Sequence, residues 1–359
     1  MQVRSIREAE VQGKRVLVRA DLNVPLQEGR VVSDARIKAI VPTLEFLQQA
    51  GAAQITLLTH LGRPEGKLVE GLRVAPVEAR LRELTQVPFE LKENLRFDPR
   101  EEANDDSFAK ELAGLGDLFV NDAFAVLHRP AASVVGIPKF LPSFAGLLVE
   151  KEVEKLTEAL TPPPGALAIL GGAKFETKIP LINELLKHYP RVLLGGALGN
   201  DVIKARGLAM GASMVSSVPV PVELATDERL LVPIDAVVRD PSLNAERTAL
   251  IHDLRAVEAV VDLGPATTTL WQEEVKNASF VLWNGPLGIY EDGYKRGTEE
   301  VAGALVEARV PAVVGGGDTT AAIAHLSFDP QKVFLSTGGG AMLEFLTKGT
   351  LLGLDVLKK

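Results

Sequence analysis

Basic side chains cluster where apolar runs end in the first half of the chain. The candidates are Arg19, Asp21, Asn23, Arg36, His60, Arg63, Arg96, His128 and Arg129. A guanidinium group can bind two oxygens of a carboxylate or phosphate at once. Any single arginine could equally be a surface or salt-bridged residue. Five arginine or histidine clusters at successive strand ends nevertheless indicate an anion-binding site.

Glycine-ended apolar runs mark the second half of the chain. They read ALAILGGAK, RVLLGGALGN, FVLWNGP, AVVGGGD and VFLSTGGGA. Glycine is common in any tight turn, but a glycine turn before a helix also lets backbone N–H groups approach phosphates. Lys174 and Lys178 lie beside the first run, and Asp318 in the fourth could hold Mg²⁺ against phosphate oxygens. The runs predict a nucleotide site, although neither GxxxxGK[ST] nor GxGxxG is present.

Alternating strands and helices must position these groups. Short apolar runs alternate with longer segments of helical period, which is typical of a parallel α/β sheet. Ligands bind beyond the carboxyl ends of such strands. Strands are predicted from Arg15, Gln54 and Leu118, and a first crossover helix should begin after Ser33 or Asp34 and end at Gly51. The proline-rich TPPPG segment, 161–165, predicts a domain boundary beside it.

Length and composition bound the possible functions. A chain of 359 residues predicts two domains. A formal net charge of -8 argues against nucleic-acid or anionic-membrane binding as the main role. The absence of cysteine excludes disulfides and a thiolate nucleophile. The start lacks the pattern of a signal peptide, and no apolar run approaches the roughly 18 residues that span a bilayer, so a cytoplasmic protein is expected. The acidic run REEANDD, 100–106, is interpreted as a solvated loop and helix start.

Nine segments resemble the successive sequence blocks of the phosphoglycerate kinase family, in the family order and almost from end to end. They are VRADLNVPL, HLGRPEGK, ENLRFDPREEANDDSFAKELA, VNDAF, LLVEKEV, LGGAKFETKI, WNGPLGIYE, VVGGGDTTAA and STGGGAMLEFL. The resemblance implies an α/β fold of two doubly wound parallel-sheet (Rossmann-like) domains joined by a hinge helix, with the C-terminal tail returning to the N-terminal domain. The resemblance implies two domains. The N-terminal domain, 1–155 together with the tail 341–359, would bind phosphoglycerate, and the C-terminal domain, 156–340, would bind nucleotide.

The resemblance also implies an activity and residue roles. The reaction is reversible phosphoryl transfer from 1,3-bisphosphoglycerate to MgADP, giving 3-phosphoglycerate and MgATP, in glycolysis and gluconeogenesis. The implied substrate-binding residues are Asp21, Asn23, Arg36, His60, Gly62, Arg63, Arg96 and Arg129. The implied catalytic residues are Arg36, Lys174, Gly338, Gly339 and Gly340. The implied nucleotide-binding residues are Lys178, Gly196, Ala197, Asn284, Pro286, Ile289, Glu291, Gly316, Gly317, Asp318 and Thr319, with Asp318 as the Mg²⁺ ligand. A monomer with small-molecule substrates and no nucleic-acid or membrane partner is expected.

The chemistry of such a reaction fits the residues present. The acceptor carboxylate is already a nucleophile, so no general base is needed, and catalysis rests on in-line placement and charge neutralisation. Hinge closure would bring the two half-sites together and exclude water. Three alternatives remain: a non-catalytic relative that binds nucleotide or anion, a phosphotransferase for another carboxylate, and a two-lobed solute-binding protein, which would normally be exported.

The chain departs from the family pattern in four places. It reads NDAFAVLHRPAAS where the family usually has NDAFGTAHRAHAS, so Ala131 replaces a histidine of the phosphate pocket. It reads GGALGNDV where the family has GGGMAFTF, which predicts an altered nucleotide pocket around Gly199 to Asp201 and a changed nucleotide preference. It is also short after LRELTQVPFEL and near SSVPVPVELATDERLLVPID, where a long helix is normally expected. A compact variant of the family is predicted.

Overall fold

A five-stranded parallel sheet forms the centre of the first half of the chain in the computed structural model, which describes residues 3–243 and 245–358. In chain order the elements are β1 (Arg15–Ala20), β2 (Leu26–Gln27), β3 (Arg30–Val31), α1 (Ala35–Gln49), β4 (Gln54–Leu58), α2 (Ala75–Leu84), β5 (Glu90–Leu91), α3 (Pro99–Glu102), α4 (Asp106–Ala113), β6 (Leu118–Asp122), β7 (Ser143–Ala145) and α5 (Leu147–Leu160). The sheet order is β5-β4-β1-β6-β7, with every pair parallel, while β2 and β3 form a small antiparallel hairpin. The three strands predicted from sequence are β1, β4 and β6.

The first crossover helix shows how apolar spacing builds this unit. Helix α1 places Ile37, Ile40, Leu44 and Leu47 at helical spacing, and these side chains join the strand residues in one buried core. Asp34 is its N-cap residue, and Gly51 takes the left-handed conformation with φ of +78° just beyond its end. Both predicted helix ends are therefore confirmed.

The second half of the chain is built on a six-stranded parallel sheet. In chain order its elements are β8 (Leu167–Leu170), α6 (Phe175–His188), β9 (Arg191–Leu194), α7 (Gly196–Ala205), α8 (Val222–Ala225), β10 (Leu230–Leu231), β11 (Asp235–Asp240), β12 (Ala245–Leu250), β13 (Ala259–Leu263), α9 (Pro265–Asn277), β14 (Val281–Asn284), α10 (Arg296–Ala308), β15 (Ala312–Gly315), α11 (Gly317–Ala322) and β16 (Val333–Leu335). The sheet order is β10-β9-β8-β14-β15-β16. The five glycine-ended runs are strands β8, β9, β14, β15 and β16. A separate antiparallel sheet, ordered β12-β11-β13, was not predicted.

The chain divides into two compact units, and the tail belongs to the first. The first unit runs to Glu154 and includes the residues from Gly340, whereas the second is Lys155–Gly339. The division falls inside α5. The tail forms α12 (Gly340–Lys348) and α13 (Leu352–Asp355). Phe345 meets Phe124 edge to face, with ring centroids 6.3 Å apart, so the return of the tail is confirmed. No helix of the described residues is long and apolar enough to span a membrane.

Candidate active site

An arginine and an aspartate meet at the carboxyl end of β1 in the first unit. Arg36, in the first turn of α1, places its Nη1 2.9 Å from Oδ2 of buried Asp21. The contact is an ion pair whose angle is outside hydrogen-bond geometry. Arg36 Nη1 also donates to the carbonyl of Asn23 at 3.2 Å. These contacts tie Arg36 to the loop that follows β1.

The loop after β4 is joined to the same place. The amide of Gly62 donates to Oδ1 of Asn23 at 2.9 Å, and the carbonyl of Gly62 accepts from Nη1 of Arg96 at 2.7 Å. Gly62 has φ of +59°, a left-handed conformation that favours glycine. The structure therefore connects Asp21, Asn23, Arg36, Gly62 and Arg96 through direct contacts.

Two further predicted arginines keep their charge uncompensated. Arg63 is exposed and Arg129 is half-buried, and neither forms an ion pair within the described residues. Arg129 and Ala131 line a cavity together with Arg96. The pKa of Arg96 is lowered, first by burial, despite the nearby carboxylate of Glu102, whose Oε1 lies 3.4 Å from Arg96 Nε. Crowded guanidinium groups favour a bound anion.

His60 lies among these arginines as a neutral imidazole. Burial lowers its pKa well below the ordinary value, and the charges of Arg19, Arg96, Arg36 and Arg129 lower it further. Nη2 of Arg19 lies 3.0 Å from Nδ1 of His60. Because a guanidinium group can only donate, Nδ1 must be the acceptor, so the proton of the neutral ring is on Nε2. His60 can therefore donate a hydrogen bond to an anion without carrying a charge.

Arg19 has a role that sequence reasoning did not assign. Its side chain is buried, and Nε donates to Oγ of Ser133 at 2.9 Å while Nη1 donates to the carbonyl of Ala20. The hydroxyl and the amide of Ser133 both donate to the carboxylate of Glu101. Arg19 thus holds the His60 ring in place through the contact at Nδ1. The interpretation of 100–106 as solvated was wrong for Glu101, which is buried because Ser133, far along the chain, binds its carboxylate.

His128 faces the start of the tail helix. Its pKa is lowered, chiefly by burial and then by Arg129, and its Nδ1 is buried with no hydrogen-bond partner among residues 3–243 and 245–358. Nε2 of His128 lies 3.9 Å from the position that a Cβ on Gly340 would occupy. In the second unit, the amide of Gly338 already donates to Oγ of Ser336 at 3.1 Å, and Gly339 has φ of +50°.

Two lysines stand at the start of helix α6 in the second unit. Lys174 is exposed at the N-cap position with φ of +64° and ψ of +68°, and Lys178 lies one turn further on. Burial lowers the pKa of Lys178 to about 8. Neither lysine side chain forms a hydrogen bond or ion pair within the described residues. Two unpaired ammonium groups at the N-terminal end of a helix are suited to phosphate oxygens.

The glycine turns of the second unit approach one another closely. A Cβ on Gly196, which has φ of +59°, would lie 2.9 Å from the carbonyl oxygen of Gly172. The amide of Gly172 donates to the carbonyl of Pro286 at 3.0 Å, and that of Gly196 donates to Leu287 at 3.2 Å. Part of the glycine pattern therefore serves backbone packing between turns. Ala197 follows in the first turn of α7, while the amide of Ile289 donates to Val261.

The turn after β15 brings the predicted metal ligand to the surface. Gly316 has φ of +104°, and Gly317 begins α11. Oγ1 of Thr319 accepts from the amide of Gly285 at 3.0 Å, which fixes this turn beside Asn284 at the end of β14.

The carboxylate of Asp318 is exposed and forms no hydrogen bond or ion pair within the described residues. Partial burial and then the charge of Glu291 raise the pKa of Asp318. No group of three His, Cys, Asp or Glu side chains in 3–243 and 245–358 could hold a metal ion. One carboxylate completed by phosphate and water is a donor set that suits Mg²⁺.

One parallel sheet has cations at its strand ends, and the other has glycine turns beside two neighbouring lysines that lack ion-pair partners among the described residues. Such a combination is typical of an enzyme that transfers phosphoryl groups. The family model described as phosphoglycerate kinase matches residues 6–92 and 89–349. The chain is 40% identical over 393 residues to the phosphoglycerate kinase of Roseiflexus sp. (strain RS-1) and 41% identical over 390 residues to that of Thermomicrobium roseum; in both cases 99% of each chain is covered. The chain belongs to the phosphoglycerate kinase family.

Solved structures agree with this assignment. The structure of phosphoglycerate kinase from Coxiella burnetii matches with a TM-score of 0.84 and 33% identity, covering 99% of both chains. That of Pyrococcus horikoshii OT3 matches with a TM-score of 0.81 and 27% identity, covering 98% of both. The protein is therefore a kinase of glycolysis that uses ADP and ATP. The alignments with the two relatives above extend over more positions than the 359 residues of this chain, so those relatives contain residues that it lacks.

Proposed function

We propose that this chain transfers a phosphoryl group reversibly between 1,3-bisphosphoglycerate and MgADP, and that the first unit binds the phosphoglycerate part. The observation that supports this most is the neutral His60 among arginines, two of which, Arg63 and Arg129, form no ion pair with any carboxylate in the part of the chain that the structure describes. Asp21, Asn23 and Gly62 hold the loops that carry these groups. In our proposal Arg36, His60, Arg63, Arg96 and Arg129 bind the carboxylate and phosphate oxygens of 3-phosphoglycerate.

In the direction of ATP use, a carboxylate oxygen of 3-phosphoglycerate attacks the γ-phosphorus. The new C–O–P linkage forms as the bond between the γ-phosphorus and the β,γ-bridging oxygen breaks, and ADP leaves. No proton has to be removed from the nucleophile, so the reaction needs no general base. The residues of the chain must place the two groups in line and neutralise oxygen charge.

We propose the following roles in the second unit. Lys174 contacts the phosphoryl group in transit, Lys178 binds the nucleotide phosphates, and Arg36 of the first unit acts with Lys174. The amides of Gly338 and Gly339, together with that of Gly340 in the first unit, would contact the same group, and the amide of Gly338 would exchange its hydrogen bond to Ser336 for this contact. Asp318 would hold Mg²⁺, which when bound neutralises charge on the nucleotide phosphates. The remaining nucleotide contacts that we propose come from Gly196, Ala197, Asn284, Pro286, Ile289, Glu291, Gly316, Gly317 and Thr319.

We further propose that the protein acts as a monomer in the cytoplasm on small molecules alone. The net charge of -8 disfavours a nucleic-acid partner, and the phosphorylated substrates of a glycolytic kinase are intracellular. Light scattering during chromatography would test the monomer.

A coupled assay tests the function directly. Purified protein is given 3-phosphoglycerate, MgATP and a glyceraldehyde-phosphate dehydrogenase, and NADH loss is followed. We expect turnover by the wild-type protein. Lys174→Ala or Arg36→Ala should lower this turnover by about 100-fold or more. Calorimetry should show that both variants bind MgADP with nearly the wild-type affinity. Lys187→Ala, at the far end of α6 and paired with Glu184, is the matched control that keeps activity. A folded wild-type protein that binds MgADP but does not turn over would contradict the proposal and favour the non-catalytic relative.

A further inference from the structure

Two polar side chains of α7 hold the segment that follows this helix. Nδ2 of buried Asn200 donates to the carbonyl of Met214 at 3.1 Å. Buried Asp201 accepts from the amide of Ser216 at Oδ1, at 2.6 Å, and from its hydroxyl at Oδ2, at 3.0 Å. These are the positions where the chain reads GGALGNDV in place of GGGMAFTF. Both departures therefore have partners in the segment 214–216.

Ser216 in turn acts on the start of helix α6. Its Oγ accepts from the backbone N–H of Phe175, the first residue of α6, at 3.2 Å. The N-terminal N–H groups of a helix need outside acceptors, which a neighbouring Ser, Thr, Asp or Asn usually supplies. The N-cap residue here is Lys174, whose ammonium group can only donate hydrogen bonds and therefore cannot cap the N–H groups of the helix. The distant Ser216 provides the acceptor that the local sequence lacks.

The backbone of Lys174 needs such support. A non-glycine residue in the left-handed region is strained, because its Cβ crowds the neighbouring carbonyl oxygen, and the conformation persists only where the surroundings fix it. The peptide between Lys174 and Phe175 carries the N–H that Ser216 accepts. This bond therefore restrains the peptide that determines where the Lys174 side chain starts.

Asp201 determines which way the Ser216 hydroxyl points. The hydroxyl has one proton and two acceptors within reach, Oδ2 of Asp201 at 3.0 Å and Oε2 of Glu176 at 3.1 Å. Asp201 is buried and also holds the amide of Ser216, whereas Glu176 is exposed. With the proton directed to Asp201, an oxygen lone pair remains for the N–H of Phe175.

We propose that Ser216, held by Asp201, is a positioning residue for Lys174 in phosphoryl transfer. The inference rests on the proposed role of Lys174. Ser216 does not touch substrate; it fixes the turn from which the lysine reaches the phosphoryl group. Loss of the hydroxyl should therefore lower kcat more than it weakens nucleotide binding, because misplacement of a reacting group by about 1 Å can cost about 100-fold in rate.

The test compares three serine variants in the coupled assay, with kcat, the KM for MgATP and the thermal midpoint measured for each. Ser216→Ala should lower kcat about tenfold or more, leave the KM for MgATP within about twofold and leave the thermal midpoint nearly unchanged. Ser216→Thr keeps the hydroxyl and should restore most of kcat. Ser217→Ala, at the exposed next residue, should match the wild type.

The outcomes separate this inference from the proposed function. Wild-type protein without turnover would contradict the proposed function and, with it, the inference. Wild-type turnover with an unchanged kcat in Ser216→Ala would overturn the inference alone. A parallel loss of kcat, nucleotide affinity and stability, or no recovery in Ser216→Thr, would also overturn it by showing a general structural role.

Discussion

Replacing Asp122 by asparagine should remove a pH-dependent part of the stability of the first unit. Asp122 ends β6 and is fully buried. Its Oδ2 accepts from Oγ1 of Thr43 at 2.6 Å, and its Oδ1 accepts from the amides of Leu148 and Val149, in the first turn of α5, at 2.9 and 3.1 Å. Gly146 leaves room for this carboxylate, because a Cβ there would lie 2.3 Å from its Cγ.

Two influences on the Asp122 carboxyl oppose each other. Burial penalises the charged form, whereas hydrogen bonds and the start of a helix favour it. Burial is the larger influence and raises the pKa to about 6. An unfolded aspartate has a pKa of about 3.9, and each pH unit of difference is worth about 1.4 kcal/mol, so the full effect is about 3 kcal/mol.

The sign follows from where the proton is held more tightly. The folded state has the higher pKa, so the stabilisation is complete below the unfolded pKa of about 4 and is lost as the pH rises through about 6. The asparagine side chain of the variant is neutral at every pH. The free energy of unfolding of the wild type minus that of Asp122→Asn should therefore fall by about 2 kcal/mol between about pH 4.5 and about pH 7.5.

Urea unfolding followed by two probes measures this difference. Both tryptophans, Trp271 and Trp283, lie in the second unit, so their fluorescence follows that unit, while far-ultraviolet circular dichroism follows both. The variant should shift the part of the circular-dichroism transition that has no counterpart in the fluorescence transition, because that part reports the first unit. A difference that is flat, or that rises with pH, would refute the reasoning, because it would mean that hydrogen bonds keep the carboxylate ionised in the folded state across the range.

Two further predictions concern charged groups in each unit. Because the pKa of Lys178 is about 8, the affinity for MgADP measured by calorimetry should fall as the pH rises through that value. Lys178→Met should bind MgADP more weakly, with an affinity that does not change with pH. A wild-type affinity that stays the same from about pH 7 to about pH 9 would contradict this prediction. Arg19→Met removes the buried guanidinium whose Nε donates to Ser133, the hydrogen-bond partner of Glu101, and should lower the free energy of unfolding by about 3 kcal/mol in urea. Arg19→Met/Glu101→Gln should recover part of the loss, and a single-variant effect below about 1 kcal/mol would argue against a buried charge network.

Much of the fold follows from local patterns in the sequence. The strands that end in glycine were predicted because an apolar run followed by glycine marks a buried strand and a tight turn. The antiparallel sheet of β11, β12 and β13 was missed, because β12, read AERTAL, has most of its side chains exposed and lacks an apolar run. The apolar face of this sheet comes mainly from Ala236 and Val238 of β11, the strand that immediately precedes β12.

The candidate site was predictable in its residue types but less so in its arrangement. Asn23, Gly62 and Arg96 are in contact as strand-end residues should be. The burial of Arg19 was not predictable, because a strand covered on both faces gives no alternation to show which side chains point inward. The burial of Glu101 depends on Ser133, 32 positions away, and no local pattern signals that contact.

Asn200 and Asp201, in the block that the family resemblance assigns to the nucleotide site, bind groups that lie outside that block. From the sequence they predicted a changed nucleotide preference. In the structure the two side chains point their polar groups at Met214 and Ser216, in the stretch just before the short helix α8, where a longer helix is normally expected. Val215 of this stretch packs against the apolar residues of β11, and the polar groups of α7 hold the backbone on either side of it. We therefore expect the loss of apolar residues in this block to follow from shortening of the chain, with nucleotide preference determined by the other residues of the pocket.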